Sequence, residues 1–264
     1  MRPILLILIS ALCAGSMAAQ SQAKLVWSDE FDGSGLPDPS KWDYETGGHG
    51  WGNNELQFYT KARAENARVE NGNLVITARK EDFQGRKYTS ARLVTKGKQT
   101  WTYGYFEVRA KLPKGRGSWP AIWMLGTGES LEKKGWPGIG EIDIMEHVGF
   151  DPGRIHASIH CTAFNHVAGT QKTGTVMAPD AMNEFHVYGL NWTPEFIEML
   201  IDGKPYFRFD NMKRTHAEWP FDKPFYLLLN LAVGGNWGGK EGVDESIWPQ
   251  SMLVDYVRVY DRKP

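Results

Sequence analysis

The sequence predicts an all-β fold built from two packed antiparallel sheets, as in a sandwich or a jelly roll. Short apolar runs alternate with turn signals along the chain, which is typical of many short strands. The 29 glycines and 14 prolines are spread along the chain without a low-complexity linker. Residues 61–70 have some helical propensity, but their surroundings favour strand and loop. If the two sheets curve, their concave face offers a groove for a chain polymer.

Alternation and turn residues place the individual strands. Over residues 105–112 the apolar side chains occupy every second position and share one face, while charged side chains share the other. Asp202-Gly203 lies between two apolar runs and predicts a hairpin. The run 225–233 is nearly all apolar and predicts a central strand. Further strands are predicted over residues 74–78, 196–201, 206–209 and 253–260.

The N-terminal segment has the layout of a secretory signal peptide. Arg2 is followed by an apolar run over residues 4–12 and by the small-x-small sequence Ser16-Met17-Ala18. Cleavage near Ala18 or Ala19 would leave residues 20–264, a length suited to a single β domain. The apolar run is too short to span a bilayer. We therefore expect a secreted protein, extracellular or periplasmic, with no membrane association after cleavage; a retained anchor is the alternative.

Composition bears on the binding partner. The formal net charge is -1, from 30 Lys and Arg against 31 Asp and Glu, which argues against nucleic acid as a partner. The chain is 12% aromatic and contains 11 Trp, and indole rings can stack on the C–H faces of sugars. A neutral carbohydrate polymer fits this composition. Cys161 alone remains after the predicted cleavage, and we expect it to be a small buried hydrophobe.

The most informative segment covers residues 140–147 and contains three acids, Glu141, Asp143 and Glu146. On a β-strand the first two point to one face, and the isoleucines between them point to the core. Strict alternation would direct the third acid away from the other two. We therefore predict a β-bulge at Ile144-Met145, which returns Glu146 to the face of Glu141 and Asp143.

Two carboxyl groups on one face can divide the work of glycoside hydrolysis. With the bulge, the Cα atoms of Glu141 and Glu146 would lie about four strand steps, or ~13 Å, apart. Side chains leaning toward each other could reduce the gap between carboxyls to the ~5–5.5 Å of a retaining glycosidase. Negative charge nearby raises a carboxyl pKa, so one of three clustered acids can stay protonated. The alternative is a merely polar face, but adjacent like charges on a sheet are mildly destabilising.

Residues 141–146, with the sequence EIDIME, resemble the bulged signature of glycoside hydrolase family 16. Residues 50–57 (GWGNNELQ), 119–125 (WPAIWML), 230–237 (NLAVGGNW) and 254–260 (VDYVRVY) are also laminarinase-like. The resemblance implies a concanavalin A-like β-jelly-roll sandwich of two curved antiparallel sheets with a concave substrate cleft. It also implies a secreted, retaining endo-β-1,3-glucanase that acts on laminarin-type glucans, which we expect to be a monomer.

The resemblance implies roles for individual residues by motif position. Glu141 corresponds to the nucleophile, Asp143 to the assisting acid and Glu146 to the acid/base. A second set is implied in substrate binding: Asn54, Arg92, Trp119, Trp123, His160 and Trp237. Three alternatives stay open for this set. One of the two tryptophans Trp119 and Trp123 would lie in the core, the arginine would serve a salt bridge, or the histidine would be structural.

No cofactor for catalysis is implied, but a structural Ca²⁺ is. The matching positions are Glu30, the carbonyl of Gly72 and Asp255, since oxygen ligands from separate segments suit a hard cation. The alternative is that the two carboxylates make surface contacts. A zinc site at His156 and His160 is disfavoured, because the segment is predicted to be a strand and no third or fourth ligand accompanies the pair.

Three functional alternatives remain at this point. The substrate could be another polysaccharide of the family, such as mixed-linkage β-glucan, agarose, carrageenan or xyloglucan. The chain could be a lectin that binds glucan without cutting it, although all three acids are present. Transglycosylation, in which a sugar hydroxyl replaces water in the second step, is a third possibility that the residues do not decide.

Overall fold

The computed structural model describes residues 22–264, and the predicted signal peptide over residues 1–19 therefore lies outside the described residues. The described part consists of strands, loops and one short helix, α1 (Glu129–Glu132). Its strands, in chain order, are β1 (Leu25–Asp29), β2 (Asp43–Tyr44), β3 (Gln57–Tyr59), β4 (Ala67–Glu70), β5 (Asn73–Phe83), β6 (Arg86–Ser90), β7 (Arg92–Val94), β8 (Gly104–Lys111), β9 (Ser118–Gly126), β10 (Glu141–Glu146), β11 (Arg154–His160), β12 (Lys172–Met177), β13 (His186–Trp192), β14 (Phe196–Ile201), β15 (Lys204–Asp210), β16 (Phe225–Val233) and β17 (Gln250–Tyr260).

The strands form two sheets, as the sequence predicts. The larger sheet has ten strands, in the order β15-β14-β13-β8-β17-β5-β6-β3, with β1 paired to β17 and β4 paired to β5. The smaller sheet has seven strands, in the order β12-β11-β10-β9-β16-β7-β2. Neighbouring strands are antiparallel except for the parallel pair β3 and β6. In the described chain no helix is long and apolar enough to cross a membrane.

The core lies between the two sheets. Strand β8 contributes Phe106 and Val108 from the larger sheet, and β10 contributes Ile142 and Ile144 from the smaller one, all fully buried. Every residue of β16 is buried, which explains why this strand lacks the alternation of its neighbours. Side chains on the inner face of the seven-stranded sheet therefore pack in the core, and side chains on its outer face are available to form a site.

Local signals in the sequence agree with the observed strands. The strands predicted over residues 196–201 and 225–233 have the bounds of β14 and β16. The hairpin between β14 and β15 turns at Asp202 and Gly203, whose φ angles are 48° and 73°. Positive φ at both central positions is what a tight hairpin of this twist requires. Residues 61–70 form turns followed by β4, so the strand-and-loop interpretation is confirmed over their helical propensity.

The predicted bulge at Ile144-Met145 is confirmed. Opposite β9, Asp143 pairs with Trp123 and Glu146 pairs with Ala121, so three steps along β10 match two steps along β9. The same shift occurs against β11. The extra residue restores Glu146 to the face of Asp143, while Ile144 and Met145 are both fully buried in the core.

Met145 therefore has a packing function, which a truncation can measure. We expect Met145→Ala to lower the free energy of unfolding by about 2–5 kcal/mol, because it leaves a cavity beside the bulge. Urea unfolding would give the value. The matched control is Met212→Ala, whose side chain is 63% exposed, and which should change stability by no more than about 0.5 kcal/mol. Equal effects of both substitutions would contradict the packing role.

Candidate active site

An open cleft of about 790 Å³ crosses the outer face of the seven-stranded sheet. The strands of that sheet supply its floor through every second side chain, the opposite set from those in the core. The loop over residues 49–55 lies at one end, and the loop that contains His166 and Val167 lies at the other. Three tryptophans of the predicted set, Trp119, Trp123 and Trp237, all line the cleft, so neither Trp119 nor Trp123 is a core residue.

Three carboxyl groups and one histidine meet at the centre of the cleft. The side chains of Glu141, Asp143 and His160 are 15%, 4% and 8% exposed. The Nε2 atom of His160 lies 3.2 Å from Oδ2 of Asp143 and 3.8 Å from Oε1 of Glu141. Glu146 lines the cleft on the same face, beyond the bulge. The predicted acids are thus brought together, with His160 added on the Glu141 side.

The surroundings of the acids favour protonation. Burial is the main cause that raises the pKa of all three carboxyl groups, and the charge of Asp143 raises the pKa of Glu141 and Glu146 further. The hydrogen bond with Glu141 acts in the opposite direction and lowers the pKa of Asp143. Three acids in one desolvated site cannot all be ionised at moderate cost, so the cluster holds at least one proton near neutral pH.

This electrostatic strain predicts a pH-dependent gain of stability on neutralising Asp143. Burial raises the pKa of Asp143 from 3.8 to about 8. Below pH 3.8 both the folded and the unfolded chain hold the proton, and as pH rises toward 8 only the unfolded chain releases it, so folding loses stability. We expect Asp143→Asn to raise Tm at pH 8 and to leave it nearly unchanged at pH 4.

Thermal unfolding of the wild type and Asp143→Asn at the two pH values measures this effect. The gain at pH 8 should correspond to at least about 1 kcal/mol. The control is Asp32→Asn, an exposed carboxyl outside the cleft. A Tm difference for Asp143→Asn that is the same at pH 4 and pH 8 would show that the carboxyl does not titrate as the site requires.

Indole N–H groups hold both glutamates. Trp119 Nε1 donates to Oε1 of Glu146 at 3.0 Å, and Trp136 Nε1 donates to Oε2 of Glu141 at 3.1 Å. Each of these bonds lowers the pKa of the carboxyl that accepts it, against the larger effect of burial. Two rigid donors thus fix the carboxyl groups on opposite sides of Asp143.

One arm of the cleft is built from a stack of planar groups. The guanidinium carbon of Arg92 lies 4.6 Å from the ring centroid of Trp51 and 4.6 Å from that of Trp123. The Nε atom of Arg92 lies 2.7 Å from Oε2 of Glu45. Arg92 therefore lines the cleft and also makes the salt bridge that the sequence left open as an alternative. A cation between two aromatic faces is a favourable arrangement, which makes this arm rigid.

One predicted substrate-binding residue is placed differently. Asn54 is exposed and is not among the residues that line the cleft. Its Nδ2 atom donates at 2.8 Å to Oδ1 of Asn236, which lines the cleft, so Asn54 lies at the border of the cleft and its contact with the sugar stays a prediction. Its neighbours Asn53 and Glu55 line the cleft. The φ of Asn54 is 54°, a left-handed conformation within this loop.

His156 and His160 lie on strand β11, as predicted, and both line the cleft. Over residues 22–264, the acid and histidine side chains close enough to share a metal ion are Glu141, Asp143 and His160, with ligand atoms within 4.8 Å of one another. His156 instead packs edge-on against Trp237, with ring centroids 4.9 Å apart.

The predicted calcium ligands are occupied by arginines. Both carboxylate oxygens of Glu30 accept hydrogen bonds from Arg258, at 3.0 and 2.8 Å, and Oδ2 of Asp255 lies 2.5 Å from Nη1 of Arg109. A calcium ion bound by Glu30 would have to displace the guanidinium group of Arg258, and one bound by Asp255 would lie beside that of Arg109. The donor set of Glu30, Gly72 and Asp255, as folded, does not fit the ion, and the surface-contact alternative describes it better.

Sequence reasoning missed several residues of the cleft. Trp136, Trp51 and Glu55 reach it from loops, and Asn230 reaches it from strand β16. A signal was available for three of them, because Trp51, Glu55 and Asn230 lie inside the quoted laminarinase-like segments. Trp136 stands five residues before Glu141, and only the path of the intervening loop brings its indole N–H onto that carboxyl.

A two-sheet sandwich whose open cleft carries three clustered acids among indole rings defines a class of protein, the hydrolases that cut polysaccharides. The comparison with protein families agrees: the family model described as Glycosyl hydrolases family 16 matches residues 54–258. The chain belongs to glycoside hydrolase family 16. Hydrolases of this family need no cofactor for catalysis.

Known relatives match over nearly the full chain. A β-glucanase of Rhodothermus marinus is 56% identical over 264 residues, which cover 96% of this chain and 92% of the relative. The X-ray structure of the laminarinase from Rhodothermus marinus has a TM-score of 0.90 at 56% identity, covering 92% of this chain and 99% of that one. A mutant of a non-specific endo-β-1,3(4)-glucanase of family 16, with an oligosaccharide in its active site, has a TM-score of 0.87 at 51% identity, covering 93% and 97%.

Proposed function

We propose that this chain is a retaining endo-β-1,3-glucanase that hydrolyses internal bonds of laminarin-type glucans. The observation that carries the proposal is the bulged strand β10, which places Glu141, Asp143 and Glu146 together on the floor of an open cleft lined by indole rings. An open cleft admits the interior of a chain polymer, whereas a closed pocket would admit only its end. The laminarinase and glucanases to which the chain is similar support the choice of substrate.

In the first step, Glu141 attacks the anomeric carbon and Glu146 gives its proton to the leaving oxygen. The order of the two glutamates in the family motif supports this division. Burial, and then the charge of Asp143, raise the pKa of Glu141 and Glu146 alike, so the cluster can hold the proton that an acid needs, and the motif order assigns that proton to Glu146.

In the second step, Glu146 acts as a general base instead of a general acid. Glycosylation removes the charge of Glu141, and Glu146, which has lost its proton, takes a proton from water as the water attacks the anomeric carbon. Two displacements at one carbon give net retention. Asp143 lies between the two and hydrogen-bonds Glu141, which sets the orientation of the nucleophile and shares the charge of the cluster.

Mixed-linkage β-1,3-1,4-glucan is the second candidate substrate. The specific observation in its favour is the 51% identity and TM-score of 0.87 to a glucanase described as non-specific for β-1,3(4) bonds. The laminarinase to which the chain is also similar, at 56% identity and a TM-score of 0.90, favours laminarin as the better substrate. We therefore expect mixed-linkage glucan to be cut, but more slowly than laminarin.

The proposal is tested by incubating the purified protein with laminarin, barley mixed-linkage glucan and agarose and measuring reducing ends. We expect the fastest release from laminarin. Cleavage of agarose alone would keep the hydrolase but refute the β-1,3-glucanase. Binding of laminarin without release of reducing ends would favour a lectin. Addition of a second glucan oligosaccharide as acceptor, with product analysis, shows how much of the second step is transglycosylation.

We also propose that the protein is exported and acts as a monomer. The N-terminal layout of Arg2, the apolar run over residues 4–12 and the small-residue site supports export. N-terminal sequencing of the protein recovered outside the producing cell should start near residue 20, and light scattering in solution should give the mass of one chain. An intact N-terminus in a membrane fraction would refute export, and twice that mass would refute the monomer.

A further inference from the structure

A fourth carboxyl group lies at the cleft and has no part in the reaction as proposed. Glu55 lines the cleft, is 5% exposed and forms an isolated β-bridge with Gly234. A buried carboxyl group is costly unless hydrogen bonds satisfy it. The bonds that satisfy Glu55 connect it to the floor of the cleft.

The first of these bonds has a fixed direction. Oε2 of Glu55 accepts from Nε2 of Gln57 at 2.6 Å. The side-chain oxygen of Gln57 accepts from the backbone N–H of Val233 at 2.8 Å. Because the amide oxygen is committed to a donor, the amino group is the part that faces Glu55, and Glu55 must accept.

The direction of the second bond to Glu55, which comes from Tyr59, is fixed by the indole group of Trp123. Trp123 Nε1 donates to Oδ1 of Asn230 at 2.7 Å, and an indole N–H can only donate. The Nδ2 atom of Asn230 is then left to donate to the hydroxyl oxygen of Tyr59, at 3.0 Å. The hydroxyl proton of Tyr59 is directed in turn to Oε2 of Glu55, at 3.3 Å. The chain runs one way, from Trp123 through Asn230 and Tyr59 to Glu55.

We propose that Glu55 is a positioning residue: its carboxylate ends the hydrogen-bond chain that holds Trp123 in the cleft floor, and its negative charge acts on Glu146. The inference rests on the proposed glucan hydrolysis. Trp123 pairs with Asp143 across the sheet and packs on the guanidinium group of Arg92. Fixing this ring therefore fixes the floor next to the reacting bond.

Several titratable and charged groups lie near Glu55 and Glu146 and influence the pKa of these two carboxyl groups. Burial and then Asp143 are the main causes that raise the pKa of Glu146, and Glu55 raises it further. Burial raises the pKa of Glu55 itself, while Gln57 and Arg92 lower it. The other titratable or charged groups near one or both carboxyls are Glu141, His156, His160, Tyr206, Tyr59 and Arg86, whose guanidinium group donates to the backbone carbonyl of Glu55.

Two substitutions separate the effect of the negative charge of Glu55 from the effect of the hydrogen-bond chain that ends on it. Glu55→Gln keeps an oxygen that can accept both fixed donors but removes the charge. Tyr59→Phe keeps the charge but interrupts the chain. We expect Glu55→Gln to shift the alkaline limb of the kcat/KM profile on laminarin to lower pH, with KM within about twofold. We expect Tyr59→Phe to raise KM about fivefold without moving that limb.

The controls remove the same atoms elsewhere. Glu107→Gln neutralises a half-buried carboxyl of the other sheet, on β8, and Tyr188→Phe removes a buried hydroxyl that has no hydrogen-bond partner. Both should leave KM and the pH profile unchanged. If Glu55→Gln lowers Tm without moving the alkaline limb, or if Tyr59→Phe leaves KM unchanged, Glu55 is structural only and the inference is wrong.

A binding measurement keeps this test separate from the proposed function. In a Glu141→Gln background, calorimetry with a laminari-oligosaccharide should show binding about fivefold weaker when Tyr59→Phe is added. If the wild type releases no reducing ends from any glucan, the proposed function fails, but the fivefold difference in binding still decides whether the chain positions Trp123. Equal affinity with and without Tyr59→Phe would overturn this part of the inference.

Discussion

Glu141→Gln should abolish hydrolysis of laminarin, with a loss of kcat on the order of 10⁴-fold or more, as expected when a nucleophile is removed. The amide cannot attack the anomeric carbon, yet it matches the carboxylate in size and can keep the bond from Trp136 through its oxygen. The fold and the affinity for glucan should therefore persist. Reducing-end release measures kcat, and calorimetry with laminari-oligosaccharides measures binding.

A carboxyl of the same burial provides the control. The side chain of Glu198, on β14 of the other sheet, is 14% exposed, against 15% for Glu141. Glu198→Gln should keep wild-type activity. Glu141→Ala vacates the space beside the anomeric carbon, and sodium azide, a small anionic nucleophile, should restore cleavage by this variant and give a glycosyl azide of inverted configuration. Residual hydrolysis within about tenfold of the wild type would exclude Glu141 as the nucleophile.

Glu146→Gln should lose about 10²–10⁴-fold in the cleavage of laminarin, because the leaving oxygen no longer receives a proton. An aryl laminaribioside with an acidic phenol needs little help in leaving. With that substrate the first step should remain fast, and the glycosyl-enzyme should accumulate because the base for water is missing. Stopped-flow release of the phenol would show a burst of about one equivalent, followed by a slow phase.

The two glutamates are told apart by the product with azide. Azide needs no general base, so it should accelerate the slow phase of Glu146→Gln and give a glycosyl azide of retained configuration. The opposite configurations from the two variants follow from one displacement in Glu141→Ala and two in Glu146→Gln. An inverted azide from Glu146→Gln would exchange the roles of the two residues.

The sequence was sufficient for the parts of the fold that depend on local pattern. Alternation over residues 105–112 and the all-apolar run of β16 gave two central strands, because burial of one face or of both faces leaves a direct mark on the sequence. The bulge was predictable for a similar reason. Glu146 is one residue out of phase with Glu141 and Asp143, so the three acids can share a face only if the strand contains a bulge. The structure has that bulge at Ile144-Met145.

The parts of the site that depend on loop paths were not predictable. The bond from Trp136 to Glu141 needs the chain to fold back over residues 137–140, and no periodicity records such a return. The position of Asn54 at the border of the cleft, bonded to Asn236, likewise depends on the path of its loop. The role of Glu55 needed the directions of five hydrogen bonds, three of which join segments distant in sequence.

We propose that two carboxyl groups of one bulged strand cut β-1,3-glucan by double displacement. Proton NMR during the first minutes of laminari-oligosaccharide hydrolysis tests it most directly, because the anomer released first is seen before mutarotation mixes the two. A double displacement releases the β-anomer first, and the α-anomer follows slowly. Initial appearance of the α-anomer would show a single displacement by water and would contradict a covalent intermediate at Glu141.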